Sequence, residues 1–185
     1  MAGSSNSLIN DLTIRNVEIF DVPSNNGVPN HPYLPALLFQ GCISSDANAD
    51  DIIKIYDSNG WTGAWQWTVF DYHHFHPSSH EVLTVLKGKG VLHLGGQDGP
   101  RVTVAQGDCL ILPAGFGHKR LMTEDGFTVV GAYPRGQEDY EIIKAEGEVD
   151  GAILKQIAFT NGNVSDPIYG IDGLLQHYWV DRRYR

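Results

Sequence analysis

Two short blocks of sequence constrain the fold of this chain more than any other feature. In the first block, His74 and His76 lie two residues apart and Glu81 follows five residues later. Side chains two positions apart on a β-strand share one face, about 6.6 Å from each other along the backbone. The second block ends at His118, after a turn signalled by proline and glycine at 113–115. Imidazole and carboxylate groups in such a cluster are typical metal ligands. A single ion bound from two separate hairpins predicts a closed or nearly closed β-barrel.

The spacing of both blocks resembles the two motifs of the cupin superfamily. Residues 74–88 fit the pattern HxH(x)4E(x)6G without insertion or deletion. Residues 107–122 fit the pattern G(x)5PxG(x)2H(x)3N, except that Met122 stands where the pattern has asparagine. Three flanking segments also resemble the YjlB-type subgroup of small single-domain cupins, at residues 59–65, 131–134 and 166–170.

The resemblance implies an all-β fold, the double-stranded β-helix that is also called the RmlC-like jelly-roll barrel. It also implies that three histidines and one glutamate bind one metal ion, namely His74, His76, Glu81 and His118. The missing asparagine removes none of these ligands and concerns only how the strand after His118 is held. The subgroup implies a fold and a metal site more than a particular reaction.

The length of the chain, 185 residues, predicts one domain with a full hydrophobic core. We expect a disordered lead-in at residues 1–13 and a single domain over residues 14–185. Within that domain, residues 61–134 should form the barrel core, and residues 135–185 should form an irregular C-terminal tail that packs on it. Apolar residues at helical spacing predict one short N-terminal helix over residues 46–58.

Short apolar segments separated by glycine turns are typical of a sandwich or barrel. One of these turns is expected at residues 88–90. The predicted strands are residues 14–20, 35–42, 64–75, 80–87, 90–95, 101–105, 109–113, 117–122 and 127–133.

The predicted ligand set limits the metal without choosing one. Three imidazole nitrogens and one carboxylate oxygen suit divalent Fe, Mn, Ni, Co, Zn or Cu. An octahedral ion would keep two positions open for a substrate, whereas tetrahedral zinc would be closed and structural. Strand alternation directs His73 and His80 away from the site. A break in the strand at Pro77 would instead allow a competing cage that uses His76 and His80.

Two further residues are candidates for catalysis because strand alternation places them near the metal ligands. Tyr72 shares the predicted face of His74, and it could donate a hydrogen bond or act as a general acid. It could equally be an ordinary core tyrosine. Arg120 shares the face of His118 and could hold a carboxylate or enolate, or it could form a salt bridge at the rim.

Composition excludes several kinds of partner. A formal net charge of −9 argues against nucleic-acid binding, since that requires a basic face. The sequence lacks an apolar run of about 18 residues, so a membrane span is not expected. The N-terminus does not resemble a secretory signal, which favours a cytoplasmic protein with reduced cysteines. A disulfide between Cys42 and Cys109 is the alternative.

These features predict an enzyme that acts on a small organic molecule, with three classes of function left open. The first is an oxidoreductase of the dioxygenase type, and the second is a metal-dependent isomerase, dehydratase or cyclase. The third is a non-enzymatic binding module.

A homodimer is expected because apolar residues outside the motifs exceed what one barrel should cover: Trp61, Trp65, Trp67, Leu174, Leu175 and Trp179. The resemblance implies that the terminal strands pair.

Overall fold

The computed structural model describes residues 7–179, and within this range nine strands form one curled antiparallel sheet. The strands are β1 (Val17–Phe20), β2 (Ala36–Phe39), β3 (Trp61–Trp67), β4 (His74–Phe75), β5 (Glu81–Leu94), β6 (Arg101–Ala105), β7 (Cys109–Leu112), β8 (His118–Pro134) and β9 (Ile143–Lys144). The helices are α1 (Ala49–Ser58), α2 (Gly151–Phe159) and α3 (Leu174–Tyr178), and a 3₁₀ turn covers Ile14–Asn16. The all-β prediction is confirmed.

The sheet runs in the order β1-β2-β7-β5-β8-β4-β9, while β3 pairs with β8 and β6 pairs with β5. The two longest strands, β5 and β8, pair along most of their length and join the two halves of the sheet. The sequence predicts each of them as two strands, and this is wrong. Gly88 has a φ of 72° and lies at an irregularity in the pairing of β5, so the strand bulges there instead of turning.

Apolar residues of the sheet alternate between two buried clusters. Along β2, Leu37 and Phe39 join one cluster, whereas Ala36 and Leu38 join the other. The first cluster lies under α1 and the C-terminal segment, and the second lies between the strands of the barrel. The helix α1 begins with a capping box at Asn48 and buries Ile52 and Tyr56 against the first cluster.

The predicted lead-in falls partly outside the described residues. Within the described part, Ile9 forms a bridge with Ile43, and the amide of Asn10 donates to the carbonyl of Cys42. Residues 9 and 10 therefore pair with the segment near residue 43, although the sequence predicts a disordered lead-in at residues 1–13. Cys42 and Cys109 are both free and fully buried.

The C-terminal segment is more regular than the sequence indicates. It contains α2, which Asp150 caps by accepting from the amide of Ala152, and α3, which buries Leu175. The indole of Trp179 donates to the carbonyl of Pro35 at 2.8 Å.

The apolar surplus used to predict a homodimer is largely covered within the chain. Trp61, Leu175 and Trp179 are all at most 2% exposed, whereas Trp67 is 57% exposed. The homodimer therefore stays a prediction, and fewer exposed apolar side chains support it than the sequence indicates.

The hydrogen bonds of the buried Tyr56 hydroxyl can be tested by substitution. It lies 3.0 Å from the carbonyl of Val130 and 2.6 Å from the hydroxyl of Thr84. Because a carbonyl can only accept, the phenol proton belongs to Val130, and Thr84 is left to donate to the phenol oxygen. Tyr56→Phe should lower the free energy of unfolding by about 1–3 kcal/mol, because it removes both buried hydrogen bonds of the hydroxyl and leaves the Thr84 hydroxyl without this partner. Thr84→Val should cost less, since Tyr56 keeps its bond to Val130. Urea unfolding measures both, and an equal or reversed ranking would contradict this assignment.

Candidate metal centre

Strand pairing brings the two sequence blocks to one place. His74 in β4 lies directly opposite His118, the first residue of β8, and His118 in turn pairs with Leu94 at the end of β5. Glu81 is the first residue of β5, and His76 lies in the short connection before it. All four side chains that the motifs single out are at most 5% exposed.

The imidazole rings converge with their nitrogen atoms close together. One ring nitrogen from each of His74, His76 and His118 lies within 4.8 Å of the other two, the spacing expected of ligands to one ion. Glu81 stands beside two of them. Its Oε2 atom lies 3.4 Å from Nε2 of His76 and 3.1 Å from Nε2 of His118.

A backbone carbonyl fixes the tautomer of each of the three rings. A carbonyl oxygen accepts but cannot donate, so the Nδ1 atom that contacts it must carry a hydrogen. Each Nε2 atom then presents its lone pair to the centre, which is the arrangement that metal-bound histidines show. The contacts join Nδ1 of His74 to the Tyr72 oxygen at 3.2 Å, Nδ1 of His76 to the Glu141 oxygen at 2.8 Å, and Nδ1 of His118 to the Phe116 oxygen at 3.1 Å.

Two buried atoms at the centre lack a hydrogen-bond partner, Nε2 of His76 and Oε2 of Glu81. Both are acceptors when His76 is neutral, and they face each other. A cation between them resolves the conflict, either a proton on His76 or a metal ion. The donor set therefore fits a divalent transition metal.

The pKa values at the centre follow from burial and from the neighbouring carboxylate. Burial lowers the pKa of His74 to about 3, with a further contribution from His118. Burial also works to lower the pKa of His76, but the carboxylate of Glu81 outweighs it and the pKa is raised. Burial alone would raise the pKa of Glu81, yet the two adjacent imidazoles lower it. Without metal, and at a pH below the raised pKa of His76, the pair is thus a protonated His76 beside an ionised Glu81.

The competing cage with His80 does not form. Nδ1 of His80 accepts from the amide of Ala114 at 2.9 Å, and Nε2 donates to the carbonyl of Asn161 at 2.8 Å. Burial lowers the pKa of this ring to about 4, so it is neutral and both nitrogens are already used. The ring packs 4.7 Å from Trp179, on the side of the C-terminal segment.

An apolar cavity of about 100 Å³ opens beside the histidines. Leu83 lies in its wall, but the two predicted catalytic residues, Tyr72 and Arg120, do not line it. Tyr72 instead stacks on Phe70 with a centroid distance of 4.9 Å. The backbone amide of Arg120 donates to the carbonyl of Phe70, and its Nε atom is buried without a partner.

The displacement of Tyr72 has a local cause. The sequence predicts one strand over residues 64–75, whereas the structure ends β3 at Trp67 and resumes with β4 at His74. Residues 68–73 are irregular between them, so alternation counted back from His74 fails. The Tyr72 ring meets that of His74 edge to face at a centroid distance of 5.8 Å, outside the cavity lining. A catalytic role for Tyr72 or Arg120 stays a prediction.

Sequence reasoning missed Tyr133, the tyrosine that does reach the centre. It is 1% exposed and lies in β8, and its hydroxyl donates to Oε1 of Glu81 at 3.3 Å. The indole of Trp65 donates to the same hydroxyl at 2.8 Å. Burial and the negative charge of Glu81 raise the pKa of Tyr133 well above its ordinary value, so the phenol stays protonated. Its segment is visible in the sequence, but its direction depends on the bulges of β8.

The curled sheet and the buried histidine cluster define a barrel with a candidate metal centre. The sequence profile described as Cupin domain matches residues 67–129. The uncharacterized protein YjlB of Bacillus subtilis (strain 168) is 34% identical over 166 residues, which cover 90% of this chain and 98% of the relative. The chain therefore belongs to the cupin family and is similar to YjlB along nearly its whole length.

Solved structures give weaker similarities. Acireductone dioxygenase from Bacillus anthracis, with a cadmium ion in its active centre, is 19% identical over 46% of this chain and 58% of its own, with a TM-score of 0.34. Procruciferin, an 11S globulin from Brassica napus, is 17% identical over 77% of this chain and 33% of its own, with a TM-score of 0.38. This chain thus spans less than two thirds of either protein, and scores this low carry no functional argument.

Among residues 7–179, no helix is long and apolar enough to span a membrane.

Metal occupancy tests the candidate ligands. Loss of a residue that only hydrogen-bonds to a metal ligand typically lowers metal affinity by roughly 10- to 100-fold. His118→Ala removes a candidate ligand itself, so it should lower the metal affinity by more than that. Glu81→Gln should lower it too. His80→Ala should keep the metal, as should the control His177→Ala, whose side chain is exposed. Elemental analysis of folded protein, purified without chelators, measures the occupancy. An empty site in His80→Ala together with a full site in Glu81→Gln would reverse the assignment.

Proton release tests the pairing of His76 with Glu81. Because the pKa of His76 is raised, an incoming ion must displace its proton, and affinity should fall about tenfold per pH unit below that pKa. Titration of Zn(II) into metal-free protein at about pH 6, in two buffers of different ionisation enthalpy, should show release of about one proton. Glu81→Gln should reduce this number, since only the backbone hydrogen bond to Glu141 then opposes the lowering of the His76 pKa by burial. The control Glu141→Gln, which keeps the backbone carbonyl, should match the unaltered protein. No proton release by the unaltered protein would refute the pairing.

Proposed function

We propose that the chain is a metal-dependent oxidoreductase of the dioxygenase type that acts on a small oxygenated organic molecule. The observation that carries this proposal is the convergence of three Nε2 lone pairs, each set by an Nδ1 hydrogen bond to a carbonyl, at the wall of an open cavity. A purely structural ion closes its coordination with protein ligands and needs no cavity.

The proposed ligands are His74, His76, Glu81 and His118, and the ion is divalent Fe, Mn, Ni, Co, Zn or Cu. When bound, such an ion would polarise substrate oxygens and, if redox-active, exchange electrons. The carbonyl contacts hold the imidazoles in their ligating tautomer. The apolar wall residues Val69 and Leu83 limit the access of water to the centre.

Tyr133 is the proposed proton donor. The indole of Trp65 occupies an acceptor position on its oxygen, so its own hydrogen points away from Trp65 and toward Glu81. A substrate oxygen near Glu81 could accept that hydrogen. Because the pKa of Tyr133 is raised, the phenol keeps its hydrogen at neutral pH and gives it up only to a strongly basic oxygen, such as one that develops negative charge during the reaction.

The same phenol favours a second candidate, a non-redox isomerase, dehydratase or cyclase. Such an enzyme needs a positioned proton donor and an ion that acts only as a Lewis acid. Turnover that is independent of oxygen and supported by zinc would distinguish it from the oxidoreductase. A cytoplasmic location and a homodimer complete the proposal.

Turnover with defined metals tests the proposal. Metal-free protein should stay folded and, after separate loading with Fe(II), Mn(II), Ni(II) or Zn(II), be offered enolisable carbonyls, phenols and hydroxyacids. We expect oxygen uptake with at least one redox-active ion. Tyr133→Phe should lower the turnover number by roughly 10²- to 10⁴-fold, the usual contribution of a general acid, with unchanged metal content.

Tyr72→Phe is the matched control because Tyr72 lies outside the cavity lining, and it should change turnover little. Loss of activity in Tyr72→Phe but not in Tyr133→Phe would restore Tyr72 as the acid. Unfolding of the chain on removal of metal would make the ion structural and favour the non-enzymatic module.

A further inference from the structure

The walls of the cavity indicate which class of molecule the site takes, and this inference rests on the proposed function. Aromatic rings dominate the side chains beside the candidate ligands: Trp65, Trp67, Phe70, Tyr133 and Tyr140. They come from β3, from β8 and from the segments that follow each of these strands. An aromatic side chain offers a large flat surface and prefers stacked or edge-to-face partners.

Two pairs of rings flank the histidines. Phe70 meets His74 edge to face, with ring centroids 5.0 Å apart, and Trp67 meets Phe70 in the same way at 5.3 Å. Tyr140 meets His76 edge to face at 5.2 Å and stacks on Tyr133 at 4.1 Å. The cavity therefore has aromatic surfaces next to both His74 and His76.

The mouth of the cavity is also apolar. Trp67 is 57% exposed, and its neighbours at the rim, Tyr140 and Ile142, are 36% and 43% exposed. Exposed apolar groups gathered around an opening mark a ligand-binding surface more often than they do when scattered singly. A cavity of about 100 Å³ behind this mouth is on the order of one six-membered ring.

The charges of the wall exclude strongly anionic ligands. Among the described residues that line the cavity, none is a lysine or an arginine, and Glu81 is the only carboxylate. A divalent ion beside ionised Glu81 would leave one net positive charge. That charge balances one ionised oxygen, whereas a second anionic group would be desolvated without a partner.

We propose that the substrate is a small phenol, an aromatic ring without carboxylate or phosphate groups that carries a hydroxyl able to ionise once. The ring lies among the aromatic side chains at the mouth, and the hydroxyl points to the histidines and Tyr133. Dicarboxylates and sugar phosphates do not fit these walls.

Binding of matched probes tests the proposal without turnover. Phenol and cyclohexanol share a hydroxyl and a six-membered ring, but only phenol is aromatic. NMR titration of the full chain, both metal-free and loaded with redox-silent Zn(II), should give a dissociation constant for phenol about fivefold or more below that for cyclohexanol. Oxalate and glucose 1-phosphate should bind more weakly than phenol to both forms.

Trp67→Leu should weaken phenol binding by about fivefold, which is within the range of one aromatic contact, and should leave cyclohexanol nearly unchanged. The control is Phe159→Leu, an aromatic residue that is 78% exposed and lies outside the cavity lining. It should bind both probes as the unaltered chain does. Equal affinity for phenol and cyclohexanol, tighter binding of oxalate, or equal effects of the two substitutions would overturn the proposal.

The phenol-binding test and the turnover test of the proposed function can fail independently of each other. Oxygen uptake with a hydroxyacid, together with no preference for phenol, would contradict the proposed substrate class but support the oxidoreductase function. Selective phenol binding without turnover with any of the metals would support the aromatic binding site but contradict the enzymatic function.

Discussion

The site depends on one pairing in the sheet, the register that sets His74 opposite His118. These residues are 44 positions apart in the chain, and only the antiparallel contact of β4 with β8 brings their rings to a centroid distance of 4.2 Å. A shift of one residue would turn one imidazole to the other face of the sheet. The pairing of β5 with β8 supports this register, because Leu94 also lies opposite His118.

The segment after β8 extends this control to the third histidine. The carbonyl of Glu141 holds Nδ1 of His76, while Oε1 of Gln137 accepts from the amide of His80. Tyr140, between them, stacks on Tyr133 at the wall of the cavity. The same short segment thus orients a candidate ligand and shapes the entrance. A ligand at the mouth and an ion at the histidines would therefore act on one piece of backbone, which gives a physical route for coupling between the two.

The sequence predicts the fold and the members of the histidine cluster because two blocks carry them at a characteristic spacing. The spacing of His74, His76 and Glu81, and the turn before His118, are visible in the chain, whereas the register that brings the two blocks together is not. Prediction fails where the backbone departs from regular strands. The irregular residues 68–73 carry Tyr72 out of the lining.

Long-range contacts account for the other differences. The helix α2 is absent from the sequence interpretation because its apolar pattern is short and its stability comes from packing. Tyr133 escapes notice because its contact with Glu81 joins residues 52 positions apart, across two strands whose relative register the sequence does not reveal. The use of both ring nitrogens of His80 is likewise visible only once Ala114 and Asn161 are in place.

X-ray absorption spectroscopy of protein purified without chelators tests the central claim most directly, since it reports the identity and the nearest neighbours of a bound ion. The account predicts one transition metal per chain, with imidazole nitrogens and one carboxylate oxygen at about 2.0–2.2 Å and further light-atom ligands from solvent or substrate. An ion with sulfur neighbours, or a chain that carries no transition metal and gains none on addition of Fe(II), Mn(II), Ni(II) or Zn(II), would contradict it.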